Sequence, residues 1–158
     1  MPANRTAPVA SSASVAARMS RQRSRDTAQE VAVRKLLHSQ GLRYRVNLPV
    51  PGMRRRTIDI AFTRRKVAVF LDGCFWHGCP VHGTSPRANG SWWQEKLARN
   101  AERDTETTSR LEAEGWLVLR FWEHQPPAAV ADMVTEAVST ADRSTSTGGT
   151  AVPLATDD

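Results

Sequence analysis

The chain has 158 residues, with 22 Lys plus Arg against 16 Asp plus Glu, a formal net charge of +6 and a pI near 10.3. That length suggests one domain with its own core, and the positive balance favours acidic partners, nucleic acid ahead of anionic membrane. No apolar run approaches the ~20 residues that span a bilayer. The two cysteines, Cys74 and Cys79, sit close together among histidines, a pattern that fits metal binding in a reducing compartment better than a disulfide framework.

Residues 1–25 carry no acidic side chain and are rich in Ala, Ser and Arg. Residues 1–19 read as a disordered arm or a start assigned too early, since Met19 opens Met-Ser-Arg-Gln-Arg-Ser-Arg. Order begins at Thr27-Ala28-Gln29-Glu30, a capping box, followed by Val33, Leu36 and Leu37 at helical spacing and a stop at Gly41. His38 falls on the surface of this helix. Residues 42–50 alternate as a strand, Pro51-Gly52 turns it, and residues 57–62 form a second strand. After a basic turn, Val67-Ala68-Val69-Phe70-Leu71 is a continuous apolar run, expected to be a central strand covered on both faces. Residues 83–90 read as loop and 92–114 as a long helix with Leu97, Thr108 and Leu111 inward. Residues 116–122 read as another buried strand, and 128–138 as a closing helix behind Pro126-Pro127. Residues 139–158, rich in Ser, Thr, Gly and Ala, read as a disordered tail. The order αβββαβα implies an α/β fold with a mixed central sheet flanked by helices.

The chemistry gathers in a few places. Asp59 stands between Ile58 and Ile60. A carboxylate in an apolar strand either faces solvent on an edge or is paired or metal-bound, because burying it alone is costly. Arg54, Arg55 and Arg56 precede it and would draw phosphates to the same place; a carboxylate beside such arginines suits Mg²⁺, a hard cation that takes oxygen ligands. Residues 71–82 hold both cysteines together with His77 and His82, and His124 follows the last strand. Thiolates and imidazoles suit a four-ligand structural Zn²⁺. Spacing leaves two quartets open: Cys74, Cys79, His82 and His124, which frees His77, or Cys74, His77, Cys79 and His82. Phe75, Trp76, Trp92 and Trp93 are either core lids or platforms for nucleobases, where stacking gains ~1–3 kcal/mol per base. Asp104, in a charged stretch of the long helix, is either a solvated surface acid or the orienting partner of His77.

Together these segments resemble the very short patch repair (Vsr) mismatch endonuclease family. The resemblance is carried by Arg25-Asp26-Thr27 with Glu30, Ile58-Asp59-Ile60, Asp72-Gly73-Cys74-Phe75-Trp76-His77-Gly78-Cys79, Trp93 with Lys96, Asn100 with Glu102-Arg103-Asp104, Gly115-Trp116 and Trp122-Glu123-His124. It covers residues 20–138, the endonuclease-like domain.

The resemblance implies a restriction-endonuclease-like fold with a structural zinc site. It also implies a Mg²⁺-dependent nick 5′ of the thymine in T·G mismatches left by 5-methylcytosine deamination, opening very short patch repair. By position, Asp59 and the main-chain carbonyl of Leu71 would bind Mg²⁺, and Glu30 would stand behind them. His77 would act as general base or acid, with Asp104 orienting it. Phe75, Trp76 and Trp93 would wedge into the duplex, and Cys74, Cys79, His82 and His124 would hold zinc.

The chain shows departures. Related nucleases place an acid-x-Lys pair on the strand after the metal-binding Asp; Asp72-Gly73-Cys74 has no lysine, so His77 takes that role. Asp72 stands where some family members have histidine, His124 where some have cysteine, and the positions between Cys79 and His82 differ as well.

The partner expected is double-stranded DNA bearing a T·G mismatch, with a repair polymerase acting afterwards. The protein is expected to be a monomer, cytoplasmic and associated with the nucleoid, with no membrane contact. Two rivals share parts of this reading: a restriction or homing-type nuclease that cuts both strands of matched DNA, and a zinc-stabilised DNA-binding module without catalysis.

Overall fold

Residues 26–74, 79–81 and 89–146 are described by the computed structural model of the chain. The first helix, α1 (Ala28–Ser39), starts at the expected capping box: the Thr27 side chain accepts the Glu30 amide at 3.2 Å. The reciprocal arm is displaced by one residue, because Glu30 Oε2 accepts the amide of Asp26 at 2.8 Å rather than that of Thr27. α1 buries Val33 and Leu37, and His38 is exposed.

β1 (Arg45–Val50) and β2 (Met53–Phe62) form a hairpin. Gly52, at φ 76°, supplies the left-handed turn that a side chain would strain. β2 starts before the expected residue 57, so Arg54, Arg55 and Arg56 lie within the strand. β3 (Val67–Asp72) follows as the fully buried run its composition implied, α2 (Gly90–Ala113) crosses over, and β4 (Leu117–Trp122) pairs parallel with β3. The sheet order is β1-β2-β3-β4, with β1–β2–β3 antiparallel. β3 therefore pairs on both sides while β4 lies at an edge of this sheet. That position is why β4 is only partly buried, with Leu117 48% exposed, where a buried strand was expected.

The last helix, α3 (Pro127–Ser146), runs past the expected end at residue 138, so residues 139–146 are helical rather than part of a tail. Its apolar stripe continues far enough to explain this: Val130, Ala131, Val134 and Val138 are buried, and Ala141 still packs on the core. Arg65 in the β2–β3 turn also pairs with Asp142 at 2.5 Å. Helices α1 and α3 seal one sheet face with Ile60, Phe62, Val67, Val69, Leu71 and Phe121. On the other face Leu111 of α2 packs on Val50, Ile58, Ala61, Ala68 and Phe70. The inward register of α2 is set by Trp93, Thr107 and Leu111, so Thr107 is buried in place of the expected Thr108. Among the described residues no helix is long and apolar enough to cross a membrane.

Candidate active site and metal centre

The β2–β3 ladder runs through Phe62↔Val67, Ala61↔Ala68 and Ile60↔Val69. At the next amide available on β3 a side chain takes over: Asp59 Oδ2 accepts Leu71 N–H at 2.8 Å. The carboxylate is thereby fixed at the edge of a cleft of about 500 Å³. The cleft takes Gln29 and Glu30 from α1, Arg55, Arg56 and Asp59 from β2, Leu71 and Asp72 from β3, Asn100 and Asp104 from α2, and Arg120 from β4.

Burial pushes the Asp59 carboxyl from 3.8 up to about 6, against the Leu71 hydrogen bond that lowers it. The charges of Glu30 and Asp72 raise it further, and that of Arg120 opposes them. Desolvation with neighbouring acids makes Asp59 a group whose ionisation a bound cation would favour.

The other acids have partners. Glu30 is buried, 4% exposed, and Arg34 reaches it at 3.2 Å while also binding Asp26 at 2.6 Å. Asp72 is bracketed by Arg120, whose one terminal nitrogen donates to both carboxylate oxygens at 3.0 and 3.2 Å. The other donates to the main-chain oxygen of Asp104 at 3.2 Å, and Nε donates to Thr108 Oγ1 at 3.1 Å. The Asp104 carboxylate lies 3.7 Å from Arg120, and the guanidinium carbon stands 4.3 Å from the Phe70 ring centroid.

The three arginines of the run are not equivalent. Arg55 and Arg56 line the cleft and Arg54 is not among its lining residues. Arg56 also fastens β2 to α2, donating to Glu106 at 2.7 Å, Thr107 Oγ1 at 3.1 Å and the Arg103 carbonyl at 3.3 Å.

A second cluster lies just past the ends of β3 and β4. Cys74 Sγ is 3.1 Å and Cys79 Sγ 3.7 Å from His124 Nδ1. The three ligand atoms lie within 4.8 Å of one another. Backbone amides hold the arrangement: Cys79 N donates to the Cys74 carbonyl at 2.9 Å, Glu123 N to the Asp72 carbonyl at 2.9 Å, and Cys74 N to the side-chain oxygen Oε1 of Glu123 at 3.1 Å. Burial pushes the Cys74 thiol up, and the adjacent Cys79 pushes the same way. α1 anchors the turn that bears His124, with Gln29 Nε2 donating to the carbonyls of Trp122 at 2.9 Å and Gln125 at 3.0 Å.

The structure therefore brings Asp59, Leu71, Glu30, Asp104, Arg55 and Arg56 to one cleft, and Cys74, Cys79 and His124 to one cluster. His77, Phe75, Trp76 and His82 lie outside the described residues. Trp93, expected to wedge into DNA, is 8% exposed and meets Trp92 edge to face at 4.7 Å. In this state it is a packing residue at the start of α2. Sequence reasoning missed Arg120 and Gln29. Arg120 carried a usable signal, a charge inside an apolar strand, which is the same feature that singled out Asp59. Gln29 carried none, because its amide acts through a contact distant in sequence.

A mixed α/β fold with an acid-lined cleft beside a Cys/Cys/His cluster is what the residues build. Comparison with known proteins places it. Residues 9–82 match the family model described as DNA mismatch endonuclease Vsr. The chain is 48% identical over 102 residues to the type II nicking enzyme V.NaeI of Lentzea aerocolonigenes, covering 63% of this chain and 61% of that one. It is 42% identical over 108 residues to the type II nicking enzyme V.NmeDIP of Neisseria meningitidis serogroup C, covering 67% and 71%. It is 38% identical over 102 residues to the DNA mismatch endonuclease Vsr of Escherichia coli K12, covering 63% and 62%. The matched region thus spans about three fifths of the first and third of these relatives, 61% and 62%. The chain belongs to the Vsr family.

Proposed function

We propose that this protein is a DNA endonuclease that nicks one strand 5′ of the thymine in a T·G mismatch arising from 5-methylcytosine deamination, the step that opens very short patch repair. The observation that carries the reading is Asp59: a carboxylate raised to about 6, locked by Leu71 N–H, in a cleft that also contains Arg55 and Arg56. Phosphates are drawn to such arginines, and an acid held ready for a cation at that point is what phosphodiester hydrolysis needs. The names of the Lentzea and Neisseria relatives, both nicking enzymes, favour cleavage of one strand over two. The restriction-endonuclease-like reading of the fold, monomeric action and a cytoplasmic, chromosome-associated setting go with this proposal.

The residues fit both metals. Asp59 and the Leu71 carbonyl offer the oxygen ligands that suit Mg²⁺, with Glu30 behind them lining the same cleft. Mg²⁺ supplies, when bound, stabilisation of the charge that develops on the phosphoryl and leaving 3′ oxygens. Cys74, Cys79 and His124 offer the soft and borderline set that suits structural Zn²⁺, and His82 is the fourth ligand on this reading.

The chain's own groups then divide the work. Arg55 and Arg56 hold the backbone in the cleft. His77 takes the proton of the attacking water, and Asp104 orients its ring and stabilises the imidazolium. Phe75 and Trp76 wedge beside the mismatch, where weaker stacking lowers the cost of insertion.

The test is strand-specific cleavage of end-labelled duplexes carrying T·G or C·G at one position, across several flanking contexts, with Mg²⁺ and with EDTA. A Mg²⁺-dependent nick beside T in T·G alone is expected, and Asp59→Ala is expected to abolish it while DNA binding persists. Cutting of both strands in matched DNA would move the protein to the restriction class. Binding without cleavage in any context would leave a zinc-stabilised DNA-binding module.

A further inference from the structure

Arg120 takes part in no step above, yet its guanidinium gathers more of the cleft than any other group described there. It projects from β4, which is parallel to β3, and Arg120 lies opposite Phe70 in that register. From there its donors reach both oxygens of Asp72 on β3, and Thr108 Oγ1 and the Asp104 carbonyl on α2. Its guanidinium carbon also lies over the Phe70 ring, 4.3 Å from the centroid, a cation–π contact. A guanidinium presents its donors in one rigid fork, so partners bonded to different arms are fixed relative to one another. The fork thus couples three elements that meet at the cleft: the exit of the central strand, the edge strand and the crossover helix. Asp72, with both oxygens on this fork, serves the clamp.

We infer that Arg120 is a positioning residue for the strand-nicking step, fixing Asp104 on α2 relative to the end of β3 through one Asp72–Arg120–Asp104 network. This rests on the nuclease reading, since Asp104 matters to rate only if the cleft does chemistry. The fork sits among the groups that line the cleft, and a displacement of about 1 Å in a catalytic constellation costs on the order of 10²-fold in rate.

Four variants decide it: Arg120→Lys, Arg120→Gln, Asp72→Asn and the Arg120→Gln/Asp72→Asn double. Each is assayed for the single-turnover nicking rate on a T·G duplex in Mg²⁺, for affinity to the same duplex in EDTA by fluorescence anisotropy, and for thermal melting. Arg120→Lys keeps the charge and loses the fork. It is expected to slow nicking by ~10–100-fold, with affinity changed by less than about threefold and melting close to wild type. The double variant is expected to be no slower than the slower single, because groups acting as one unit lose their effect together. A loss found wholly in affinity would make Arg120 a DNA contact, and rates that multiply independently would dissolve the network. Wild-type speed in Arg120→Lys would also overturn the inference while leaving the nuclease reading intact. A wild-type protein that nicks no duplex would overturn the nuclease reading and this role with it.

Discussion

The two faces of the sheet differ in kind. Under α1 and α3 every described buried position is apolar except Glu30 at the mouth of the cleft, and Val33, Leu37, Ile60, Val67, Val69, Val134 and Val138 form one continuous core. Under α2 the apolar patch is smaller, anchored by Leu111, and gives way to Arg56, Thr107, Asp104 and Arg120 as it nears the cleft. Guanidinium donors add fixed polar contacts to the burial that holds the long crossover helix. A small domain can keep charged groups in fixed positions by dividing the work between its two faces. One face supplies the hydrophobic stability, and the other can tolerate desolvated charge because its arginines and acids are matched.

The largest effect is expected at the Cys/Cys/His cluster, which lies past the ends of β3 and β4 and belongs to neither face. On the zinc reading, Cys79→Ser removes a ligand and with it apparent binding energy on the order of 10 kcal/mol. Metal content by mass spectrometry should fall from about one zinc per chain to near none, and the melting temperature should drop sharply. Unchanged metal content and melting would mean that the cluster is a pair of buried thiols with a neighbouring histidine.

On the sealed face, Leu37→Ala should cost about 2–5 kcal/mol by urea unfolding, because Leu37 is wholly buried and the cavity cannot fully collapse. The nicking rate of the molecules that remain folded should stay near wild type. A rate loss matching the stability loss would show that the faces are not separable.

On the cleft face the sign reverses. The Asp59 carboxyl keeps its proton up to about pH 6 when folded but is expected to release it near 3.8 when unfolded. Between those values the folded state binds more protons, so stability falls as pH rises through the window, and the full cost persists above it. In magnesium-free buffer Asp59→Asn should therefore gain about 2–3 kcal/mol at pH 7 and flatten the pH dependence between 4 and 6. The amide can still accept the Leu71 N–H. A destabilised Asn variant would contradict the burial argument. The smallest effect is at the helix start: Thr27→Ala should cost about 1 kcal/mol by the same unfolding assay, through loss of the cap on Glu30 N. A larger loss, accompanied by slower nicking, would show that the cap also positions Glu30.

Much of the sheet was legible because its signals are local. The unbroken run from Val67 to Leu71 can only be comfortable between two covered faces, and β3 is buried along that run, with Val67, Val69 and Leu71 in one core and Ala68 and Phe70 in the other. Asp59 stood out for the same reason, a charge where the period demanded an apolar residue. The misses came from what happens between elements. β4 has the composition of a buried strand, but its neighbour count is a property of sheet order, which no local pattern encodes. Residues 139–146 look polar in isolation and are helical because Ala141 and Asp142 find partners on the core and on Arg65. Trp93 was ambiguous between lid and platform, and only its surroundings place it inward. Asp59 and the Cys/His segment are conspicuous in the sequence, and the fold brings the first to the cleft and Cys74, Cys79 and His124 to a separate cluster, whereas Arg120 is inconspicuous because a basic residue in a strand of a basic protein looks unexceptional.

The handover from ladder to carboxylate at Leu71 has a consequence for how the protein can be watched. In an ordinary strand an amide proton reports on the sheet. Here the exchange rate and chemical shift of one backbone N–H are governed by a side chain that is expected to bind metal. The Leu71 amide is therefore a resident probe: without any label in the cleft, its signal should follow occupancy of Asp59, while the Val69 amide two residues earlier reports on the integrity of the fold.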